Sequence, residues 1–462
     1  MARRTVTPPV PADQIAWGEI QRLVRSGYPK LPVARFLVGS IVDSAKAASW
    51  LRSVAAQVTF GDRDTSNASG RGPGVDDDAD DPAGLAFPRA IQLAFTAAGL
   101  RVLGVTEADL APMSRPFVEG MCTPHRQRLL GDRGESDPAG WRWGGPDQAV
   151  AHVLVLSYAE DGIPDDHGLV GPDSGIDLLL DETTTVPTSR REPFGFVDGV
   201  SRVRLAGTPA AGRGSELARR YSVVQPGEVV IGAVDEGDVA PPPPPELARN
   251  GTYLALRQLL QHVDRFDAYL AQVSEGDPDE AERIAVKMVG RNRDGTPLVG
   301  PPSAGADADV NAFGFAGVDG QRCPLGAHIR RANPRDDDRT TLESTRRHRI
   351  LRRGRPYGIA ADGTPTGVDG RRGLLFVALN ADLERQFEFV QHNWLNNETF
   401  DRNGEVDPLT GTQADTGRTF TMPEDPVRRR VRDIPEFVTV EGGAYFLLPS
   451  RTALSRILAS TT

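Results

Sequence analysis

Apolar residues along the chain gather in short runs divided by polar, glycine- and proline-rich stretches. The spacing inside the runs alternates between that of strands and that of helices. Ala34–Ile41 (ARFLVGSI) has the density of a buried strand. Asp43 or Ser44 then stands where a helix cap is needed, ahead of a helical segment that buries Trp50, Leu51 and Val54. Val150–Tyr158 (VAHVLVLSY) predicts a second, strongly apolar strand. The second half repeats the plan. Gly227–Gly232 (GEVVIG) predicts a strand, and Tyr253–Leu270 predicts mainly helix, because Leu256, Leu259, Leu260, Val263 and Phe266 recur at steps of three and four. Gly373–Leu379 (GLLFVAL) predicts a strand running into a helix with Leu383, Phe387, Val390 and Trp394 on one face. Gly443–Pro449 (GAYFLLP) predicts a closing strand. Strands separated by helices fit an α+β protein of two sheet-plus-helix domains packed together. The expected divide is near residue 222, giving segments 1–222 and 223–462. No short-period repeat is present, which excludes solenoids and propellers.

Between these elements lie three stretches of loop composition. Residues 61–84 are rich in turn formers and aspartate, and read as an acidic surface loop; the aspartates at 76–78 fit a solvated loop better than a calcium site. Pro241 to Pro245 predict an extended rigid spacer. Residues 301–310 form a further Pro/Ala/Gly/Asp loop.

Composition narrows the functional classes. Of the 462 residues 39% are hydrophobic and 25% charged, as in an ordinary globular protein. Lys and Arg number 53 against 63 Asp and Glu, and a net charge of −10 makes nucleic acid an improbable partner. No apolar run approaches the ~18 residues of a membrane span, so no membrane association is expected. Only Cys122 and Cys323 occur, without CxxC or CxxCH, so no disulfide framework or structural zinc site is expected and a reducing compartment is the default. The paired arginines near the start have no apolar stretch behind them, and the expected location is the cytoplasm.

Three segments concentrate unusual residues. In Glu192-Pro-Phe-Gly-Phe-Val-Asp-Gly-Val-Ser201, Gly195 and Gly199 bracket Asp198; taken alone this reads as an Asp-Gly turn as readily as a site. In Cys323-Pro-Leu-Gly-Ala-His-Ile-Arg-Arg-Ala-Asn-Pro-Arg335, small residues leave room beside His328 for something flat and bulky. Arg330, Arg331 and Arg335 follow as a cationic cluster able to meet carboxylates. A core histidine beside a basic loop is the alternative. In His348-Arg-Ile-Leu-Arg-Arg-Gly354, burial of Ile350 and Leu351 draws Arg352 inward, where it needs an anion. A charge-rich hairpin is the alternative there.

In this order the segments resemble the dye-decolourising peroxidase family of haem enzymes. The family's GxxDG signature stands as Gly195-Phe-Val-Asp198-Gly199, its histidine signature as CPLGAHIRRANPR (323–335) and its arginine signature as HRILRRG (348–354). Its LxF element stands as Leu374-Leu-Phe376, followed by the aromatic stretch Gln386 to Trp394. The likeness is to the longer, cytoplasmic bacterial branch. It departs from the commonest pattern after Ser201, where a glutamine often stands and Arg202 is found here.

The resemblance implies two ferredoxin-like domains with one haem b in the second. It implies His328 as axial iron ligand, with Asp198 and Arg352 on the opposite, peroxide-binding face. Asn333, Pro334 and Arg335 would contact the haem edge, Gly199, Val200 and Ser201 the pocket beside Asp198, and Leu374 and Phe376 an apolar wall. The absence of CxxCH makes the haem non-covalent. A histidine ligand needs a carboxylate behind it; Asp407 is the expected partner and Asp401 the fallback. Hydrogen peroxide would be reduced and small aromatic donors, dyes and phenolics, oxidised by one-electron steps. Trp394 and Tyr357 are candidates to carry electrons to the surface. An aspartate base ionises near 3.9, so an acidic optimum is expected. The alternative on the same scaffold is a haem-binding or iron-recovery protein with incidental peroxidase activity. Among the other histidines, His152 reads as core, and His125, His167 and His348 fall in polar surroundings.

Overall fold

The protein is described here by a computed structural model over residues 10–61, 89–164, 171, 173–237, 243–300, 309–400, 403–412 and 417–459. Its strands are β1 (Val33–Ile41), β2 (Arg89–Phe95), β3 (Val153–Ala159), β4 (Ile176–Thr185), β5 (Arg204–Leu205), β6 (Val223–Val224), β7 (Thr252–Gln261), β8 (Leu351–Arg352), β9 (Arg355–Tyr357), β10 (Gly373–Asn380), β11 (Arg418–Met422), β12 (Arg429–Ile434) and β13 (Val438–Leu448). One nine-stranded sheet runs in the order β4-β1-β3-β2-β13-β7-β10-β8, with β9 also on β10. Its pairings are all antiparallel.

The sheet contains the same strand order twice. In β4-β1-β3-β2 the fourth strand lies beside the first, then come the third and second. Counting β8 and β9 as one interrupted strand, β13-β7-β10-β8/β9 repeats that order. This is the ferredoxin-like arrangement, present in each half. The halves join where Leu447 of β13 pairs with Phe95 of β2.

Helices and loops cover both faces, so alternate residues of one strand enter two different cores. Val153 and Val155 of β3 go to one core, and Leu154 and Leu156 to the other. Tyr253 and Ala255 of β7 part from Leu254 and Leu256 in the same way. Strands buried on both faces read as continuous apolar runs.

That explains the main departure from expectation. Residues 252–261 are strand β7, and helix begins only at Val263–Val273. A continuous apolar run satisfies helical spacing by accident, and periodicity alone cannot separate the two. Gly227–Gly232 is not a strand either. Pro226 starts a 3-10 turn over Pro226–Glu228, and Gly227 packs so closely on Val234 that a side chain there would collide with its backbone. The other expected elements occur within a few residues. Asp43 is the cap of helix Ser44–Ala55, its carboxylate accepting from the N–H groups of Ala45 and Lys46. The helix after β10 is wound with wider, i to i+5 turns over Glu384–Glu388 and Val390–Leu395, yet Leu383, Phe387, Val390 and Trp394 are all buried as their spacing predicts. Residues 62–84 of the acidic loop, 241–242 of the proline run and 301–308 lie outside the described residues.

Candidate active site

His328 opens the short helix His328–Ala332, directly after the fully buried Ala327. The chain reaches it through a close approach to Gly290, where a side chain would meet Ile329 at 2.5 Å. The imidazole Nδ1 donates to Asp407 Oδ2 at 2.9 Å. The other oxygen of Asp407 accepts from Leu409 N at 3.0 Å, Thr410 N at 2.8 Å and Thr410 Oγ1 at 3.0 Å. A carboxylate only accepts, so the neutral ring carries its hydrogen on Nδ1 and keeps the lone pair on Nε2. No described residue hydrogen-bonds Nε2. Burial opposes charge on both partners, but each stabilises the other: His328 is raised above the usual imidazole value, and Asp407 is held at about 2.

Asp198 and Arg352 face the same cavity. Arg352 Nη1 donates to Asp198 Oδ1 at 3.4 Å, and 38% and 39% of the two side chains are exposed. Strand alternation directs Arg352 to the cavity and its neighbour Arg353 to the opposite side, where Nε donates to the carbonyl of Leu23. The turn carrying Asp198 is tied down by Glu192. That half-buried carboxylate accepts from Phe194 N, Phe196 N and Gln261 Nε2, and desolvation pushes its pKa up.

The cavity encloses about 1620 Å³ of space free of atoms, its mouth included. Leu374 and Phe376 line it from β10, while Leu375 between them enters the far core. Phe387 and Val390 from the wide-wound helix, with Phe266 and Leu409, extend the apolar wall. At one edge stand Arg291, Arg335 and Arg349. Burial, then neighbouring guanidiniums, pushes Arg291 and Arg349 down to about 10 and Arg335 well below its usual value. Arg335 donates to the carbonyls of Asn311 and Phe313, and Arg349 to that of Tyr221 at 2.8 Å. Dehydrated cations held mainly by carbonyls demand anions. A free imidazole lone pair, an apolar slot and a cationic edge fit a haem, which offers iron, a flat apolar ring and two propionates.

Of the residues singled out from the sequence, Asp198, Val200, Ser201, His328, Asn333, Arg335, Arg352, Leu374 and Phe376 line this cavity. Gly199 and Pro334 do not, and Asp401 lies outside the described residues. Arg330 and Arg331 are no part of a cationic cluster at the cavity. Arg330 is paired with Asp337 at 2.6 Å, and Arg331 donates to the carbonyls of Trp394 and Asn397, so both are spent on holding the histidine loop. Trp394 lies behind His348, 5.3 Å between ring centroids, and His348 lines the cavity. His348 has one polar and one apolar side: its Nδ1 meets the carbonyl of Arg385, and its ring stacks on Phe389 at 3.6 Å. His167 lies outside the described residues. Tyr357 is buried in the core on the opposite face of the sheet from Phe376. Sequence reasoning missed Glu192, Gln261, Arg291 and Arg349 as lining residues. Glu192 and Arg349 sit inside motifs already recognised, whereas Gln261 and Arg291 carry no local signal.

A family model described as Dyp-type peroxidase, C-terminal, matches residues 235–427. Dye-decolorizing peroxidase msp1 of Mycetinis scorodonius is 30% identical over 409 residues, covering 80% of this chain and 76% of that protein. The chain belongs to the dye-decolourising peroxidase family. Multifunctional dye peroxidase DyP2 of an Amycolatopsis species is 32% identical over 390 residues, covering 77% of this chain and 79% of that one. A solved dye-decolorizing peroxidase in complex with 2,6-dimethoxyphenol superposes with a TM-score of 0.72 at 25% identity, over 96% of this chain and 100% of its own. Family membership makes the chain a haem-dependent peroxidase with the two ferredoxin-like halves described above. No helix among the described residues is long and apolar enough to cross a membrane.

Proposed function

We propose that this dye-decolourising peroxidase holds one non-covalent haem b per chain in the cavity, with His328 as the iron ligand and Asp198 and Arg352 as the groups that act on hydrogen peroxide. The observation that carries this reading is the pinning of His328 Nδ1 by Asp407, which leaves Nε2 free at a cavity that also presents an acid and a guanidinium. Asp407 fixes the ring's tautomer and raises its basicity as a ligand. Arg335, with Arg291 and Arg349, would neutralise the propionates, and Asn333 would lie at the haem edge. Leu374 and Phe376 would keep bulk water and large donors off the peroxide side, beside Val200 and Ser201. When bound, haem supplies the redox chemistry that cleaves the O–O bond and later draws single electrons from donors. Asp198 takes a proton from one peroxide oxygen and returns it to the departing oxygen, acting as base and then acid. Arg352 offsets negative charge that develops as the bond breaks.

Small aromatic donors, dyes and phenolics among them, would be oxidised one electron at a time, with Trp394 behind His348 as one relay. An iron-recovery protein needs only His328 and an apolar slot; the Asp198–Arg352 pair favours the peroxidase. The division near residue 222 and a cytoplasmic location are parts of the same reading, the latter supported by two unpaired cysteines. The test is a Soret band on haem reconstitution of the wild type, followed by rapid mixing with peroxide. Asp198→Asn and Arg352→Leu should keep the band and lose the fast peroxide step; a wild type that binds no haem overturns the proposal.

A further inference from the structure

A line of rings leads from the cavity to a buried phenol that already has a partner for its proton. Phe376 and Phe387 both line the cavity, with centroids 6.3 Å apart. The edge of Phe387 meets Tyr445 at 6.0 Å. Tyr445 lies in β13, is 2% exposed, and its hydroxyl donates to Glu388 Oε1 at 2.8 Å. Glu388 is itself buried and receives Arg126 Nη1 at 2.6 and 2.7 Å. Arg126 Nη2 in turn meets Glu119 at 2.9 Å, and Glu119 is 31% exposed. The path therefore runs from cavity to phenol to carboxylate to a partly wet carboxylate.

We propose that Tyr445 is an internal redox residue, which gives an electron to the centre that peroxide has oxidised in the cavity and its phenolic proton to Glu388. This rests on the haem reading above. The Tyr445 O–H bond breaks, an O–H bond forms on Glu388, and the products are a neutral tyrosyl radical and a carboxylic acid. The oxidant is hydrogen peroxide acting through the cavity's cofactor, and a donor later returns the electron while Glu388 returns the proton.

The electrostatics agree. Burial raises Glu388 in spite of Arg126, so it takes a proton more readily than an ordinary glutamate. Burial and the adjoining carboxylate raise Tyr445 well above the usual phenol value, so the resting phenol keeps its proton. The other tyrosines are less suited. Tyr221 also donates to a carboxylate, that of Asp336, but the guanidiniums of Arg335 and Arg220 lie over its ring at 5.2 and 5.7 Å and oppose removal of an electron, whereas the guanidiniums near Tyr445, those of Arg126 and Arg257, are each paired with a buried carboxylate, Glu388 and Asp132. Tyr269 donates to the carbonyl of Arg432, and no carboxylate among the described residues accepts from Tyr357.

The test is freeze-quench electron paramagnetic resonance of the haem-loaded protein mixed with peroxide and no donor. A tyrosyl signal is expected in the wild type, at least fivefold weaker in Tyr445→Phe and in Glu388→Gln, and within twofold of wild type in Tyr221→Phe. Should Tyr445→Phe fold poorly, 3-fluorotyrosine placed at position 445 in otherwise unchanged protein is expected to split the signal through its fluorine. A wild type whose haem absorbance responds to peroxide without any tyrosyl signal overturns the proposal while sparing the haem reading. So does a signal of undiminished strength in Tyr445→Phe, or one that fluorine at 445 does not alter. A wild type that takes up no haem overturns both.

Discussion

On one side of the cavity His328 is tied to Asp407, a carboxylate that solvent does not reach and that receives four hydrogen bonds. On the other side Asp198 and Arg352 meet at 3.4 Å with more than a third of each side chain exposed. The first pair is made wholly by the fold: its partners come from a helix start and a tight turn, and the carboxylate is held by three further hydrogen bonds from that turn. Asp407 is buried completely while the His328 side chain keeps 30% exposure, on the side where Nε2 must be reached; a carboxylate stripped of water persists as an ion only with good geometry and further hydrogen bonds, which Asp407 has. The second pair meets at 3.4 Å across the cavity, where a small substrate can enter between its members. Rigidity stands where a ligand must be aimed, and openness where chemistry must turn over.

The comparison breaks most severely at the aimed side. His328→Ala should cost haem affinity more than the ~10–100-fold typical of removing a ligand's supporting partner, measured by haem titration of the apoprotein. Asp198→Asn should leave that titration curve in place and lower the rate of reaction with peroxide by ~10²–10⁴-fold, the usual contribution of a positioned proton carrier. Rapid-mixing absorbance reads the second effect directly. Equal haem loss in the two variants would show that the two sides do not divide binding from chemistry. Arg352→Leu should fall next, at ~10²–10³-fold on the same step, as for removal of one charge-stabilising donor.

How far this division could be read from the chain depends on the kind of signal each side leaves. His328, Asp198 and Arg352 lie in local motifs, where glycine and small residues mark the bends that expose them. The Asp407 partnership spans 79 residues and was legible only because a histidine ligand requires a carboxylate behind it, which left Asp401 as an alternative; the turn that fixes Asp407 gave no signal of its own. Arg291 and Gln261 reach the cavity solely through tertiary packing, and nothing near them in sequence marks them out. The fold was read well where a strand has ordinary flanks, as at β1 and β10, and badly at β7. There burial on both faces erased the alternation that distinguishes a strand from a helix.

A milder perturbation sharpens the comparison. Asp407→Asn keeps the size of the side chain and an acceptor for Nδ1, but removes the charge that makes His328 a strong donor. Haem affinity should fall ~10–100-fold, less than for loss of His328 itself. The iron's reduction potential, measured by spectroelectrochemistry, should rise as the ligand's basicity falls. An unchanged potential would mean that Asp407 only orients the ring.

The smallest effect separates the two sides in the haem-free protein by pH. Asp407 is depressed from 3.8 to about 2 in the folded chain. A depressed carboxylate adds stability above its unfolded value and loses it as pH falls through the folded one. At 1.36 kcal/mol per unit this is about 2 kcal/mol, present near pH 5 and lost between about pH 4 and pH 2. His328, being raised, acts in the other direction: its contribution is full below 6.5 and is lost as pH climbs through its elevated value. Urea unfolding of wild type and Asp407→Asn apoprotein should therefore differ most near pH 5 and converge toward pH 2. Arg352→Leu should cost no more than ~1 kcal/mol at pH 5, because a solvent-exposed pair stabilises little. A gap between wild type and Asp407→Asn that stays constant from pH 5 to pH 3 would place the strength of this side in packing and not in the charge of the pair.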